Sequence, residues 1–393
     1  MENKYKNSYN LLQNDLKNKI LMLDGAMGTM IQRENLTADD FGGEKYEGCN
    51  DYLVLKRPDI IKNIHKKYLE AGSDIIETNS FGALEIVLKD YDLEDKVFEM
   101  NKRAAELVNE AIAEYRSEHP EVTRNLYVAG ALGPSNKSIS VTGGVTFEEL
   151  INNYYTAVSG LLAGGVDLIL FETIQDTRNL KAAYLGLKKA MEENYTVPLM
   201  LSFTIESTGT TLAGQTADAF YYAVNHMNPF SVGLNCATGP EFMTQFLKTL
   251  NNISNTYISV YPNAGLPNED GEYEETPDTL SAKIEPFFQN HYLNIVGGCC
   301  GTTPKHIQRI KEKSINYEPR VIDKNKDFND VSGLIALETP KDRPVYVGER
   351  TNVIGSRIFK NLIANEKFDE ATEVARLQIK GRADVIDICL ANP

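Results

Sequence analysis

The chain has 393 residues, a formal net charge of -15, 42% hydrophobic and 24% charged side chains. Those values describe a globular protein and exclude disordered, collagen-like and coiled-coil classes. An acidic surface disfavours nucleic acid, which needs clustered Lys and Arg. No apolar run approaches the roughly 18 residues that span a bilayer, and the Asn- and Lys-rich first 20 residues do not read as a signal peptide. The expected compartment is the cytoplasm, where five cysteines read as metal ligands or buried thiols rather than a disulfide framework.

From residue 20 to about 316, strand-like apolar runs alternate with helix-period stretches. The runs are Ile20–Asp24, Asp74–Asn79, Tyr127–Leu132, Leu168–Glu172, Met200–Thr204, Ser231–Cys236, Ile258–Asn263 and Asn294–Gly298. Helix signals lie between them. Residues 57–72 have helical apolar spacing and end in Gly72. Thr146 with Glu149 forms a capping-box pattern, and Thr303 precedes Pro304 at a first helical position. Eight such units predict a (β/α)8 barrel of the TIM type, with an open doubly wound sheet as the competing arrangement. Residues 25–57 are long for a βα connection and are placed to cover a site.

The strand ends read DGAMG, ETNSFG, ALGPS, FETIQD, SFTIES, NCATGP, YPNAG and GGCCG. In a barrel these ends build the catalytic face. Turn-forming residues alone explain single cases, but not eight in phase with carboxylates and thiols.

Cys236 ends the sixth run, and Cys299 and Cys300 end the eighth. Three thiolates suit a catalytic zinc at that face, because a fourth position stays open. Adjacent strand residues point to opposite faces, so Cys299 and Cys300 share an ion only if the backbone leaves the extended form. Gly297, Gly298 and Gly301 are expected to permit that. The alternative is a pair of buried small hydrophobes. Cys49 and Cys389 receive no role, and His306 is expected at the surface. A three-thiolate zinc is a poor generator of hydroxide and suits activation of a thiol substrate, hence alkyl transfer to sulfur. Asp24 with Gly25 offers backbone N–H groups to a substrate carboxylate, and Glu172 offers an acceptor to an ammonium group. Glu77 and Thr78 are similar candidates, and Asn263 either orients substrate or fills the open zinc position. For each of these the competing role is a structural polar group bonded to a neighbouring loop.

Beyond Ile315 the pattern changes. Residues 317–343 read as a polar linker, and residues 344–393 as strand, one helix from about Arg357 to Lys380, and strand. One βαβ unit is too small to bury a core alone, so this segment reads as the truncated start of a second barrel.

LDGAMGTMIQ (23–32), ETNSFGA (77–83), FETIQD (171–176), GLNCATGP (233–240) and GGCCGTTP (297–304) together resemble the homocysteine S-methyltransferase family over residues 10–316. With VGERTNVIGS (347–356), the arrangement resembles the start of the cobalamin-dependent methionine synthases. The resemblance implies a zinc-containing (β/α)8 barrel over residues 1–316, with Cys236, Cys299 and Cys300 as ligands and the homocysteine thiolate as the fourth. It implies that Asp24, Gly25 and Glu172 lie near the amino-acid end of homocysteine. It further implies a methyl group from methylcobalamin, carried by a module outside this chain, with a homocysteine methyltransferase using a small donor such as S-methylmethionine as the alternative. A non-enzymatic zinc-binding scaffold is the rival from another class. Glu349, Asn352 and Asp387 resemble pterin-site residues, with methyltetrahydrofolate a partner only in a longer chain. DICLANP departs from that pattern, since Cys389 stands where Asn is expected.

Overall fold

The computed structural model describes residues 2–391 apart from 270, 272, 324–330, 338 and 340–342, with side chains from Ser8 onward. Eight parallel strands form one sheet: β1 (Leu21–Met22), β2 (Ile75–Glu77), β3 (Tyr127–Leu132), β4 (Leu168–Ile174), β5 (Leu199–Phe203), β6 (Ser231–Asn235), β7 (Tyr257–Tyr261) and β8 (Ile295–Val296). β1 pairs with β8, and a Leu23–Ile75 bridge joins β1 to β2, so the sheet closes on itself. A helix follows each strand, from Pro58–Ala71 after β1 to Pro304–Ser314 after β8. The fold is the expected (β/α)8 barrel. The open-sheet alternative fails because its two edge strands are joined here.

The helix ends follow their sequence signals. Gly72 caps its helix at φ 101°, a conformation that costs glycine no steric penalty. Thr146 accepts the Glu149 N–H while Glu149 caps in return. Strand residues alternate between two cores, which explains why both faces read as apolar. Tyr127, Ala129 and Ala131 point into the barrel, whereas Val128 and Leu132 pack under the helices.

One element carried no clear signal in the sequence. Residues Glu2–Asn18 form a helix whose Leu12 and Leu16 join the interior cluster of the barrel. Asp15 on that helix accepts from Tyr127 Oη at 2.8 Å and Asn125 Nδ2 at 3.0 Å. Among the described residues no helix is long and apolar enough to cross a membrane.

The chain divides into two compact units, one of residues 1–328 with 332–336, the other of residues 329–331 with 337–393. Barrel packing runs past the expected domain end at residue 316. Arg320 is buried, with its guanidinium on Asn251 and on the carbonyls of Ser254 and Thr256. Leu334 O accepts the Thr216 N–H at 3.0 Å, so part of the presumed linker also packs on the first unit. In the second unit, strand Val347–Asn352 pairs in parallel with Val385–Cys389. Its helical segment is two helices, Arg357–Ala364 and Phe368–Lys380, rather than one. The break falls at Asn365–Lys367, where Glu366 takes φ 56°. Its core is small, built on Val353, Phe359 and Ala371.

Candidate active site

The three cysteines converge from two strand ends. Cys236 Sγ lies 4.0 Å from Cys300 Sγ, Cys299 Sγ lies 4.0 Å from Cys300 Sγ, and the trio falls within 4.8 Å. Tetrahedral thiolates at about 2.3 Å from one zinc stand roughly 3.8 Å apart, so this donor set fits that ion. Cys236 follows β6 in a left-handed turn, with φ 59° at Cys236 and 56° at Ala237. Such values in non-glycine residues mark a backbone held by its surroundings. Here the Cys236 N–H reaches Tyr261 O, and its carbonyl accepts from Thr238 N–H.

After β8 the chain leaves the extended form, which lets two adjacent side chains face one point. The Cys299 N–H donates to Pro262 O, and the Thr302 N–H and Oγ1 both donate to Cys299 O. Of the three neighbouring glycines only Gly301 has positive φ, at 80°. Gly297 and Gly298 are needed for space instead. A Cβ would lie 2.8 Å from Asp24 O at the first and 2.5 Å from Thr302 Oγ1 at the second.

Among the three thiols by themselves, one thiolate is favoured over three. Donation from Cys236 and Cys299 pulls Cys300 down to about 3 despite burial. Cys299 is pushed well up, by donation to Cys236 and Cys300 and then by burial. Cys236 is lowered by its contact with Cys299 but raised more by donation to Cys300 and by burial, and stands at about 11. A divalent cation removes that conflict by taking all three as thiolates.

The cluster opens on a cavity of about 300 Å³ that Asp24, Gly25, Glu77, Thr78 and Glu172 also line. None of the lining residues is basic. Burial pushes the three carboxyls up, Glu172 to about 8, with the Cys300 thiolate adding to it. Burial comes first for Asp24 and Glu77 too, followed by the charge of Glu172 for Glu77. Asp24 Oδ2 accepts the Glu77 N–H at 3.1 Å, but Asp24 Oδ1 and Glu77 Oε1 are buried without a hydrogen-bond partner. Unpaired acceptors of this kind cost free energy until a donor arrives. Such a lining suits a cationic group.

The other expected residues separate by role. Thr78 lines the cavity, yet its Oγ1 is held by Ser80 Oγ at 2.6 Å and by the Ala131 N–H. Asn263 is buried with Oδ1 unpartnered, in the turn that supplies Pro262 O to Cys299 and the Ala264 N–H to Cys300 O. His306 is not at the surface. It is buried, with Nδ1 facing Thr303 Oγ1 at 2.9 Å and Nε2 against Glu275 O at 2.8 Å, and it caps its helix. Cys49 is buried away from the cluster, where burial pushes its thiol to about 12. The long segment after β1 does reach the cavity: Asn50 and Asp51 line it, and Asp51 Oδ1 accepts the Gly82 N–H. In the second unit, Asn352 Nδ2 donates to Asp387 Oδ2 at 3.0 Å, while Glu349 is exposed.

The sequence profile of the homocysteine S-methyltransferase family matches residues 21–314. The chain belongs to this family. The matched segment is the barrel with its cysteine cluster, and membership makes the protein a methyltransferase of the homocysteine type. Its fold is also that of the homocysteine methyltransferase MmuM from Escherichia coli. An oxidized form of MmuM superposes with a TM-score of 0.65 at 23% identity, covering 78% of this chain and 99% of that one. A metallated form gives 0.64 at 24% identity, covering 78% and 100%. Residues that the sequence reading passed over are Thr173, Asn235 and Tyr261. All three stood in quoted strand ends, FETIQD, NCATGP and YPNAG, but none carries a charge that draws notice.

Proposed function

We propose that the barrel methylates homocysteine on sulfur, with zinc held by Cys236, Cys299 and Cys300. The observation that carries this is one cavity shared by three converging thiols and the carboxyls of Asp24, Glu77 and Glu172, of which Asp24 and Glu77 each keep a buried oxygen unpaired. A zinc ion on three thiolates would supply a Lewis acid that favours loss of a substrate thiol's proton while leaving the sulfur nucleophilic. Glu172, Asp24 and Glu77 receive the substrate ammonium, whose positive charge lets carboxylates ionise that otherwise repel one another. Backbone N–H groups at Asp24–Gly25 are the candidates for its carboxylate. Held at both ends, the thiol faces the barrel mouth, where the donor must approach. The new S–CH3 bond forms as the donor–CH3 bond breaks, and the donor keeps the bonding electron pair.

The donor we favour is methylcobalamin carried by a separate module. Support comes from the VGERTNVIGS segment, which resembles the methionine synthases and lies in the second compact unit. A barrel using S-methylmethionine would need no such unit. Assays with each donor separate the two: transfer from methylcobalamin and none from S-methylmethionine is expected.

The zinc-edge spectrum with and without homocysteine tests the site. A fourth sulfur should replace a lighter ligand when homocysteine is added. An unchanged edge would remove thiol activation from the reading and favour a structural zinc.

A further inference from the structure

β4 changes register between Phe171 and Ile174, and Thr173 inside that irregularity takes φ 54°. A β-branched residue in the left-handed region is a genuine outlier and needs external restraint. Asn235, at the end of β6 and fully buried, supplies it. Its Oδ1 accepts the Thr173 N–H at 3.0 Å, and its Nδ2 donates to Thr173 Oγ1 at 2.8 Å. The amide is itself fixed: Oδ1 also accepts from Ser202 Oγ at 2.6 Å, and the Asn235 carbonyl accepts from Thr204 Oγ1 at 3.1 Å. Thr173 directly follows Glu172, and Asn235 directly precedes Cys236, itself at φ 59°. One buried amide therefore joins the turn that aims the ammonium-binding carboxylate to the turn that aims a metal ligand.

We infer that Asn235 is a positioning residue that fixes the spacing between Glu172 and the Cys236–Cys300 ligands, and so selects the chain length of the amino-acid thiol. The inference rests on the substrate reading above and adds a reason for its selectivity. Homocysteine and cysteine carry the same ammonium, carboxylate and thiol, and differ by one methylene between thiol and ammonium. A pocket that merely bound those groups would take both. A rigid separation between carboxylate and metal takes one, and a methylene is worth about 10- to 200-fold in discrimination.

The test is titration of the zinc-loaded full chain with homocysteine and with cysteine, in wild type, Asn235→Ala and Thr173→Gly. Wild type should prefer homocysteine. Asn235→Ala should keep one zinc per chain and lose at least tenfold of that preference, with cysteine affinity changing less than homocysteine affinity. Thr173→Gly guards against misfolding of the first variant, because glycine accepts the left-handed conformation and also loses the Oγ1 anchor. It should shift the preference the same way by a smaller factor. A wild-type ratio in Thr173→Gly, or in an Asn235→Ala protein that keeps its zinc, would overturn the inference. Equal losses for both thiols would reduce Asn235 to a purely structural amide and overturn it too. A wild type that binds neither thiol would instead defeat the substrate reading on which the inference stands.

Discussion

At the residue scale the site is defined by atoms that lack partners. The Cys300 thiol is pulled down while that of Cys299 is pushed up, and Asp24 Oδ1 and Glu77 Oε1 accept no hydrogen bond. Replacing Cys300 with Ser should remove zinc and methyl transfer while leaving the fold intact, because the apolar clusters of the barrel are built from other residues. One metal per chain in that variant, measured by elemental analysis, would refute the ligand assignment. Glu172→Gln should keep the metal and weaken homocysteine binding by about 1–3 kcal/mol, the worth of a charge-assisted hydrogen bond. Calorimetric titration decides it, and an unchanged affinity would make Glu172 a structural carboxyl.

Among the elements, helix Pro58–Ala71 carries an unusual cost. His65 on its inner face is fully buried, and neither ring nitrogen has a hydrogen-bond partner. Burial drives its pKa down to about 3. In the unfolded chain it titrates near 6.5. The folded-state value is the depressed one, so the neutral ring's contribution is complete above pH 6.5. It is lost as pH falls towards 3, at about 1.4 kcal/mol per pH unit once the unfolded imidazole is protonated. His65→Leu keeps a similar volume and removes both the titration and the unpaired N–H. Its unfolding temperature should exceed that of wild type, by a margin that widens from pH 7 to pH 5. A margin independent of pH would show that His65 finds a proton acceptor in solution.

For the whole molecule, the two compact units differ in how much they bury. The barrel closes its sheet and fills both sides of it, whereas residues 337–393 hold two paired strands over a core of three buried side chains. Ile354, Ile358, Phe368, Leu377 and Ile388 remain exposed there. So small a core supplies little stability. Amides in Val385–Cys389 should therefore exchange far faster than those in Tyr127–Leu132. Ending the chain after Leu337 should leave zinc content and the barrel's unfolding temperature unchanged, while keeping the Thr216–Leu334 contact. Slow exchange in Val385–Cys389, with a large fall in unfolding temperature on truncation, would show the second unit to be integral.

The sequence by itself determined the barrel and the three cysteines that meet at its mouth. Strands buried on both faces are written as unbroken apolar runs, and the residues of the catalytic face must sit at strand ends, so both can be read locally. Cys236, Cys299 and Cys300 could be singled out because their spacing matched those ends. Tertiary structure alone decided the rest. The Glu2–Asn18 helix is held by Leu12 and Leu16, which join the interior cluster of the barrel. His306 looks like a first-turn surface residue until Glu275 O, 31 residues away, comes to its Nε2. Asn235 is an unremarkable amide in the chain, and its hold on Thr173, 62 residues earlier, exists only once β4 and β6 stand on either side of β5. Periodicity reports which faces are buried, but hydrogen bonds between distant turns form only after the sheet has closed.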